Sequence, residues 1–198
     1  PTGLVVDRRN GDRTVAEQLD EGAARGHEHE RADVRVRQHA QRELDARVVI
    51  VGFGDYRAEL EAMAGPGTLF TGALEHRHLV HLLSLADATV VPSIFPEAFG
   101  MVAAEAAAAG SPPLVARHSG LREIAEGLEA EYPPEHRNLA SFTTGDSVEL
   151  AAKLRELLDL PAAEHEQIAA AARRAAESRW SWAGVADRLL QPLNQGAD

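Results

Sequence analysis

Glu97 and Glu105 are the residues of this 198-residue chain whose type and spacing suit chemistry. They lie in the run Pro96-Glu97-Ala98-Phe99-Gly100-Met101-Val102-Ala103-Ala104-Glu105-Ala106. The stretch before it, Ala88 to Val91, reads as a buried strand, and an Ala-rich helix closed by Gly110 follows. A carboxylate inside an otherwise apolar helix is costly to bury unless a polar group meets it. Two carboxylates at a strand-to-helix crevice offer acceptors to several hydroxyls at once. The helix start at Phe99-Gly100-Met101-Val102 adds N–H groups without intrahelical partners, which favour anions and hydroxyl oxygens. Glycine there lets a ligand approach the backbone closely. A sugar nucleotide carries both kinds of group. The competing reading is a pair of exposed glutamates whose spacing is accidental.

The elements that must hold these residues are legible from Arg47 onward. Arg47 to Gly52 is a β-branched run of strand length, followed by the turn Gly52-Phe53-Gly54-Asp55 and a helix from Tyr56 to Ala64. Gly65-Pro66-Gly67 breaks that helix, and Thr68 to Gly72 reads as a second strand. His76 to Leu85 is a helix with Leu79, Leu82, Leu83 and Ala86 on one face. Ala88 to Pro92 is the next strand and Met101 to Ala109 the next helix. Pro113 to Ala116 follows as a strand, and a further helix opens at Ser119. This alternation predicts an α/β fold, a three-layer Rossmann-like parallel sheet covered on both faces. Ligands of such sheets bind beyond the strand C-termini. Gly52, Gly72 and Glu97 all follow strands and are expected along one crevice. Further on, Glu126 to Asn138 holds Pro133-Pro134 and many charges and reads as a surface insertion. Leu139 to Phe142 is expected as a short strand, and Gly145-Asp146-Ser147 as the cap of a helix from Val148 to Leu158. Pro161 to Glu177 reads as an Ala-rich helix.

Composition removes several function classes. A formal net charge of −11 argues against a broad nucleic-acid face. The chain has no cysteine, so neither a disulfide frame nor a thiolate metal site exists. No stretch is long and apolar enough to span a bilayer, and no cationic start with an apolar block marks a signal peptide; a cytoplasmic enzyme fits. His76, His78 and His81 lack a completing ligand and read as solvated helix-start histidines. Asp-x-Asp is absent, so no metal cofactor is expected. Gly52-Phe53-Gly54 lacks the third glycine of a dinucleotide fingerprint. Residues 7–43 are dense in Arg, Asp, Glu, His and Gly, with Leu4-Val5-Val6 as a short candidate strand before them.

Pro96-Glu97-Ala98-Phe99-Gly100, then Glu105, then Ala109-Gly110, resembles the donor-site motif of the retaining glycosyltransferase family 4, over roughly Arg47 to Leu190. The resemblance implies a GT-B architecture, with this chain as the second, nucleotide-sugar-binding half. It implies that Glu97 binds the donor sugar and serves the reaction without needing to be a nucleophile. The backbone of Phe99, Gly100, Met101 and Val102 would touch sugar and phosphate, and Glu105 the ribose hydroxyls. Gly52 would line the same crevice, and Gly72 to Leu74 would hold the base through backbone. The family's Gly-Arg and Lys-Gly, which grip the donor diphosphate, do not appear; lysine occurs only at Lys153. Arg117 is the first alternative cation to consider, against the simpler reading of a surface arginine.

The domains expected are an irregular or non-native segment over 1–43, a nucleotide-sugar-binding domain over 44–178 and a closing helix over 179–198. Trp180 and Trp182 are expected as packing anchors of that last segment, which would face an N-terminal acceptor domain without counterpart here. The function implied is transfer of a sugar from a nucleotide-sugar donor to an acceptor hydroxyl with retention, the chain being the donor-binding part and in itself an inactive fragment or not. Two alternatives stay open. One is a non-catalytic nucleotide-sugar-binding module. The other is a GT-B-like epimerase, for which Glu97 and His118 are the acid/base groups available.

Overall fold

The computed structural model of the chain describes residues 3–7 and 46–186. Its apolar runs pair into one six-stranded sheet of order β3-β2-β1-β4-β5-β6. The strands are β1 (Gly3–Asp7), β2 (Arg47–Val51), β3 (Thr68–Gly72), β4 (Ala88–Val91), β5 (Pro113–Ala116) and β6 (Ser141–Phe142). Neighbours β2 and β3, β4 and β5, and β5 and β6 are parallel. The central strand is the exception. β1 runs antiparallel to both its neighbours, with Val5 opposite Val49 on one side and Thr89 on the other. The parallel sheet expected from the sequence is present in β2 to β6, with β1 inserted antiparallel at its centre. Because β2 and β4 both oppose β1, they point the same way, and the C-termini of β2 to β6 share one rim.

The irregular segment expected over 1–43 thus includes one strand of the sheet; residues 8–45 lie outside the described residues.

Six α-helices are described: α1 (Arg57–Met63), α2 (His76–Ser84), α3 (Met101–Ala109), α4 (Ser119–Glu131), α5 (Ser147–Asp159) and α6 (Ala162–Ala175). Every residue of β4 and β5 is buried, as in strands covered on both faces. Thr89, polar within β4, is satisfied by a 2.7 Å hydrogen bond to Ser111. Small residues let α3 lie close to the sheet: Ala103, Ala106 and Ala107 are fully buried. A second apolar cluster, Val51, Leu82, Leu83, Ala86 and Ala106, joins β2, α2 and α3 beneath the rim.

The stretch Glu126 to Asn138 is not a surface insertion. α4 continues to Glu131 and buries Gly127 and Leu128, and Tyr132, His136 and Leu139 are buried beyond it. A 3₁₀ turn over Pro134–Ala140 then leads into β6. The charges that suggested solvent occupy the opposite side of an amphipathic helix, whose apolar side chains each contribute about 1.5–3 kcal/mol on burial.

Past α6 the chain turns through a π-helical segment, Ala176–Trp180, and residues 182–186 are again helical. Trp180 packs against the core, with its ring edge-on to Phe99 at 6.4 Å. Trp182, expected as a second anchor, is instead 91% exposed. Of the expected closing helix, residues 187–198 lie outside the described residues.

Candidate functional site

The site forms where the segment after β4 meets the start of α3. Gly100, with φ +95°, is the N-cap of α3, and no side chain caps that helix. Its backbone lies in the left-handed region, and a Cβ there would stand 2.5 Å from Leu121 Cδ2. Glycine is therefore required by conformation and by space. The N–H groups of Ala103 and Ala104 reach the Gly100 carbonyl at 2.9 and 3.3 Å. Met101 and Val102 come one turn too early for such bonds and present theirs to the rim. Met101 is exposed and Val102 half-buried. Phe99 packs its ring edge-on against Trp180 and is half-buried.

Glu105 lies in the second turn of α3 and reaches the neighbouring rim segment. Its Oε1 stands 3.8 Å from Nδ1 of His76, the first residue of α2. The sequence had marked His76 only as a solvated histidine; its proximity to Glu105 depends on α2 packing against α3. His76, His78 and His81 are all exposed, and among the described residues no three metal-ligating side chains gather.

Gly52 follows β2 and Gly72 ends β3, both with positive φ, and a 2.8 Å bond runs from the Gly52 N–H to the Gly72 carbonyl. Leu74 inserts its side chain against the cluster formed by Val51, Leu82, Leu83 and Ala106. That packing holds the Gly72 to Leu74 backbone against the cluster joining β2, α2 and α3. The topology brings Gly52, Gly72, Leu74, Glu105 and the Gly100–Val102 helix start to one rim.

Glu97 is half-buried, and its backbone is held from both sides. Its N–H donates to Ser119 Oγ at 3.0 Å, and its carbonyl accepts from the Gly120 N–H at 2.9 Å. Ser119 Oγ is 2.9 Å from His118 Nδ1, and His118 Nε2 is 2.5 Å from the Ser93 carbonyl. A Cβ at Gly120 would stand 2.5 Å from the Ala98 carbonyl oxygen, so the two rim segments touch backbone to backbone. Sequence reading had a helix opening at Ser119 but not this contact. The helix-start Ser-Gly was its one visible signal.

Arg117 is not a free phosphate partner. Its guanidinium pairs with Glu129 through two hydrogen bonds and also donates to Ser141 Oγ at 3.1 Å. The Glu129 hydrogen bond pushes its pKa up, against a smaller effect of burial. It lines a cavity of ≈ 520 Å³ beyond β5 and β6, with Glu129, Ser141, Thr143, Glu149 and Lys153. Lys153 is engaged there too, with Glu149 at 2.8 Å and the Ser141 carbonyl at 2.6 Å. None of the crevice residues named above lines this cavity.

The family model described as "Glycosyl transferases group 1" matches residues 34–175. A glycogen synthase of Mycobacterium tuberculosis is 40% identical over 124 residues, which is 63% of this chain and 28% of that protein. A GDP-mannose-dependent monoacylated alpha-(1-6)-phosphatidylinositol monomannoside mannosyltransferase of Corynebacterium glutamicum is 31% identical over 161 residues, 75% of this chain and 39% of its own length. The chain thus spans well under half of either relative. In fold, it is similar to Anabaena HepE, solved in complex with UDP-glucose, with TM-score 0.63 and 21% identity over 87% of this chain and 47% of that one. It is also similar to sucrose-phosphate synthase from Thermosynechococcus elongatus, with TM-score 0.62 and 24% identity over 84% and 42%. Among the described residues no helix is long and apolar enough to cross a membrane.

Proposed function

The chain belongs to the group 1 glycosyl transferases, of GT-B type, and we propose that it is the part that binds the nucleotide-sugar donor for a transfer that retains anomeric configuration. The observation that carries this reading is the reach of Glu105 from the second turn of α3 to His76, across the crevice into which the ends of β2 and β3 open. A carboxylate in that place suits a ribose diol. The uncapped start of α3 suits the diphosphate, whose negative charge the helix dipole and open N–H groups favour. Glu97, ahead of that start, suits the hydroxyls of the sugar. In the transfer, Glu97 holds the glycosyl group while the α3 start stabilises the departing diphosphate, and the acceptor attacks the face it leaves. No metal takes part in this proposal.

A thermal-shift series with UDP-glucose, GDP-mannose and ADP-glucose tests it, since a ligand that binds the native state raises its stability. One of the three is expected to raise the melting temperature. No shift with any of them at millimolar concentration overturns the reading.

A second reading, a module that binds donor without transferring it, is favoured by one observation: Arg117 and Lys153, the cations beyond β5 and β6, are already paired with Glu129 and Glu149. Donor turnover, measured with the N-terminal half of a relative supplied in trans, separates the two. Product formation supports transfer; binding without product supports the module.

A further inference from the structure

The hydrogen bonds that join His118, Ser119, Glu97 and Ser93 have only one consistent direction in the neutral imidazole. The Ser93 carbonyl can only accept, so the ring proton sits on Nε2, 2.5 Å away. Nδ1 is then an acceptor and takes the Ser119 hydroxyl proton at 2.9 Å. Ser119 Oγ, having donated, accepts the Glu97 N–H at 3.0 Å. The chain of bonds starts at Glu97 and returns to Ser93, four residues earlier on the same rim segment. Beside it, the Gly120 N–H donates to the Glu97 carbonyl at 2.9 Å. Both backbone groups of Glu97 are thus anchored to the first residues of α4, and its carboxylate makes no ion pair among the described residues.

Ser119 adopts φ +41°, the single non-glycine residue with positive φ among those described. A side chain in the left-handed region is strained, and such strain persists where the surroundings over-determine it. Glycine would relieve it, and here it would also delete the hydroxyl.

We propose that Ser119, oriented by His118 with its ring proton on Nε2, is a positioning residue that clamps the backbone of Glu97 and so aims its carboxylate at the donor sugar. The sugar-facing part of this proposal rests on the donor-binding reading above; the clamp itself does not. With Nε2 held by the Ser93 carbonyl and Nδ1 by the Ser119 hydroxyl, His118 serves as a strut and not as an acid or base.

Ser119→Gly in the full chain is the decisive variant, because relief of the strained φ works against any general loss of stability. Three measurements are made. Amide hydrogen exchange at Glu97 is expected to quicken about three- to tenfold when its acceptor is removed, and nitrogen NMR of the parent is expected to show His118 protonated at Nε2 alone. Calorimetry is expected to show a loss of affinity of about three- to tenfold for the nucleotide sugar that the parent binds, with the affinity for its nucleoside diphosphate unchanged. Unaltered Glu97 exchange, or a proton on His118 Nδ1, overturns the clamp. Equal losses for sugar nucleotide and diphosphate overturn the aiming role. A parent that binds UDP-glucose, GDP-mannose and ADP-glucose not at all, while exchange still responds to Ser119→Gly, overturns the donor reading and leaves the clamp supported.

Discussion

Glu105 and Glu97 share a rim but meet different neighbours, and that difference predicts separable effects. Glu105 stands by His76 on the side of β2 and β3, where a nucleoside would lie. Glu105→Ala is expected to weaken both nucleotide sugar and nucleoside diphosphate by about 1.5–3 kcal/mol, the cost of removing a charged acceptor. Alanine suits a helix interior, so the melting temperature should hold. Calorimetry beside thermal melting checks this, and undiminished affinity removes Glu105 from the site. Glu97→Gln is expected to spare the diphosphate and weaken the intact donor, since an amide keeps an acceptor but loses the charge that strengthens its bonds to hydroxyls. Equal losses would contradict that assignment. Gly100 is a structural demand at the same scale. Gly100→Ala would put a Cβ against Leu121 at φ +95° and is expected to lower stability by about 1–3 kcal/mol, read as a shift in urea midpoint.

Among the helices, α5 carries the clearest local signature and the clearest pH dependence. Asp146 caps it, accepting from the N–H groups of Val148 at 3.0 Å and Glu149 at 2.9 Å. Burial works against ionisation of Glu149, but hydrogen bonds from Lys153 and the Thr143 N–H outweigh it and hold its pKa down to about 2. A carboxyl whose folded pKa is depressed contributes stability above its ordinary value of 4.5 and loses it as pH falls toward about 2. Glu149→Gln is therefore expected to be less stable than the parent at neutral pH, with the gap closing on acidification through that window. Urea midpoints along the pH series check it, and a gap that stays constant would show that Glu149 acts through packing alone. α4 teaches the converse lesson. Its charged residues concealed a buried apolar side, because a charge count reads composition while burial depends on which face each residue occupies.

At the scale of the whole molecule, the sheet closes through a strand far from the rest in sequence. β1 lies between β2 and β4 and is hydrogen-bonded to both, yet the family match begins only at residue 34. Without β1, the facing edges of β2 and β4 would be left unpaired, and unpaired edges recruit other chains. Deletion of residues 1–7 is expected to lower the urea midpoint and to make the protein self-associate with rising concentration, as measured by analytical ultracentrifugation. An unchanged midpoint and a monodisperse monomer would show that the sheet does not depend on this strand.

Much of the scaffold was legible from local pattern. The β-branched run at Val48 to Val51, the glycine breaks at 65–67 and the Ala-rich helix after Gly100 each declare an element by their own residues. The alternation of strand and helix from Arg47 onward, with the Glu97 to Glu105 spacing, placed the candidate site after β4. Nothing local announced that β1 would enter the centre of the sheet reversed, because strand order and direction are decided by hydrogen bonds between segments distant in the chain. The engagement of Arg117 by Glu129, the reach of Glu105 to His76 and the anchoring of Glu97 by Ser119 belong to the same category. Residue type sets what each group can donate, accept or bury; only the packed structure decides which partner it meets.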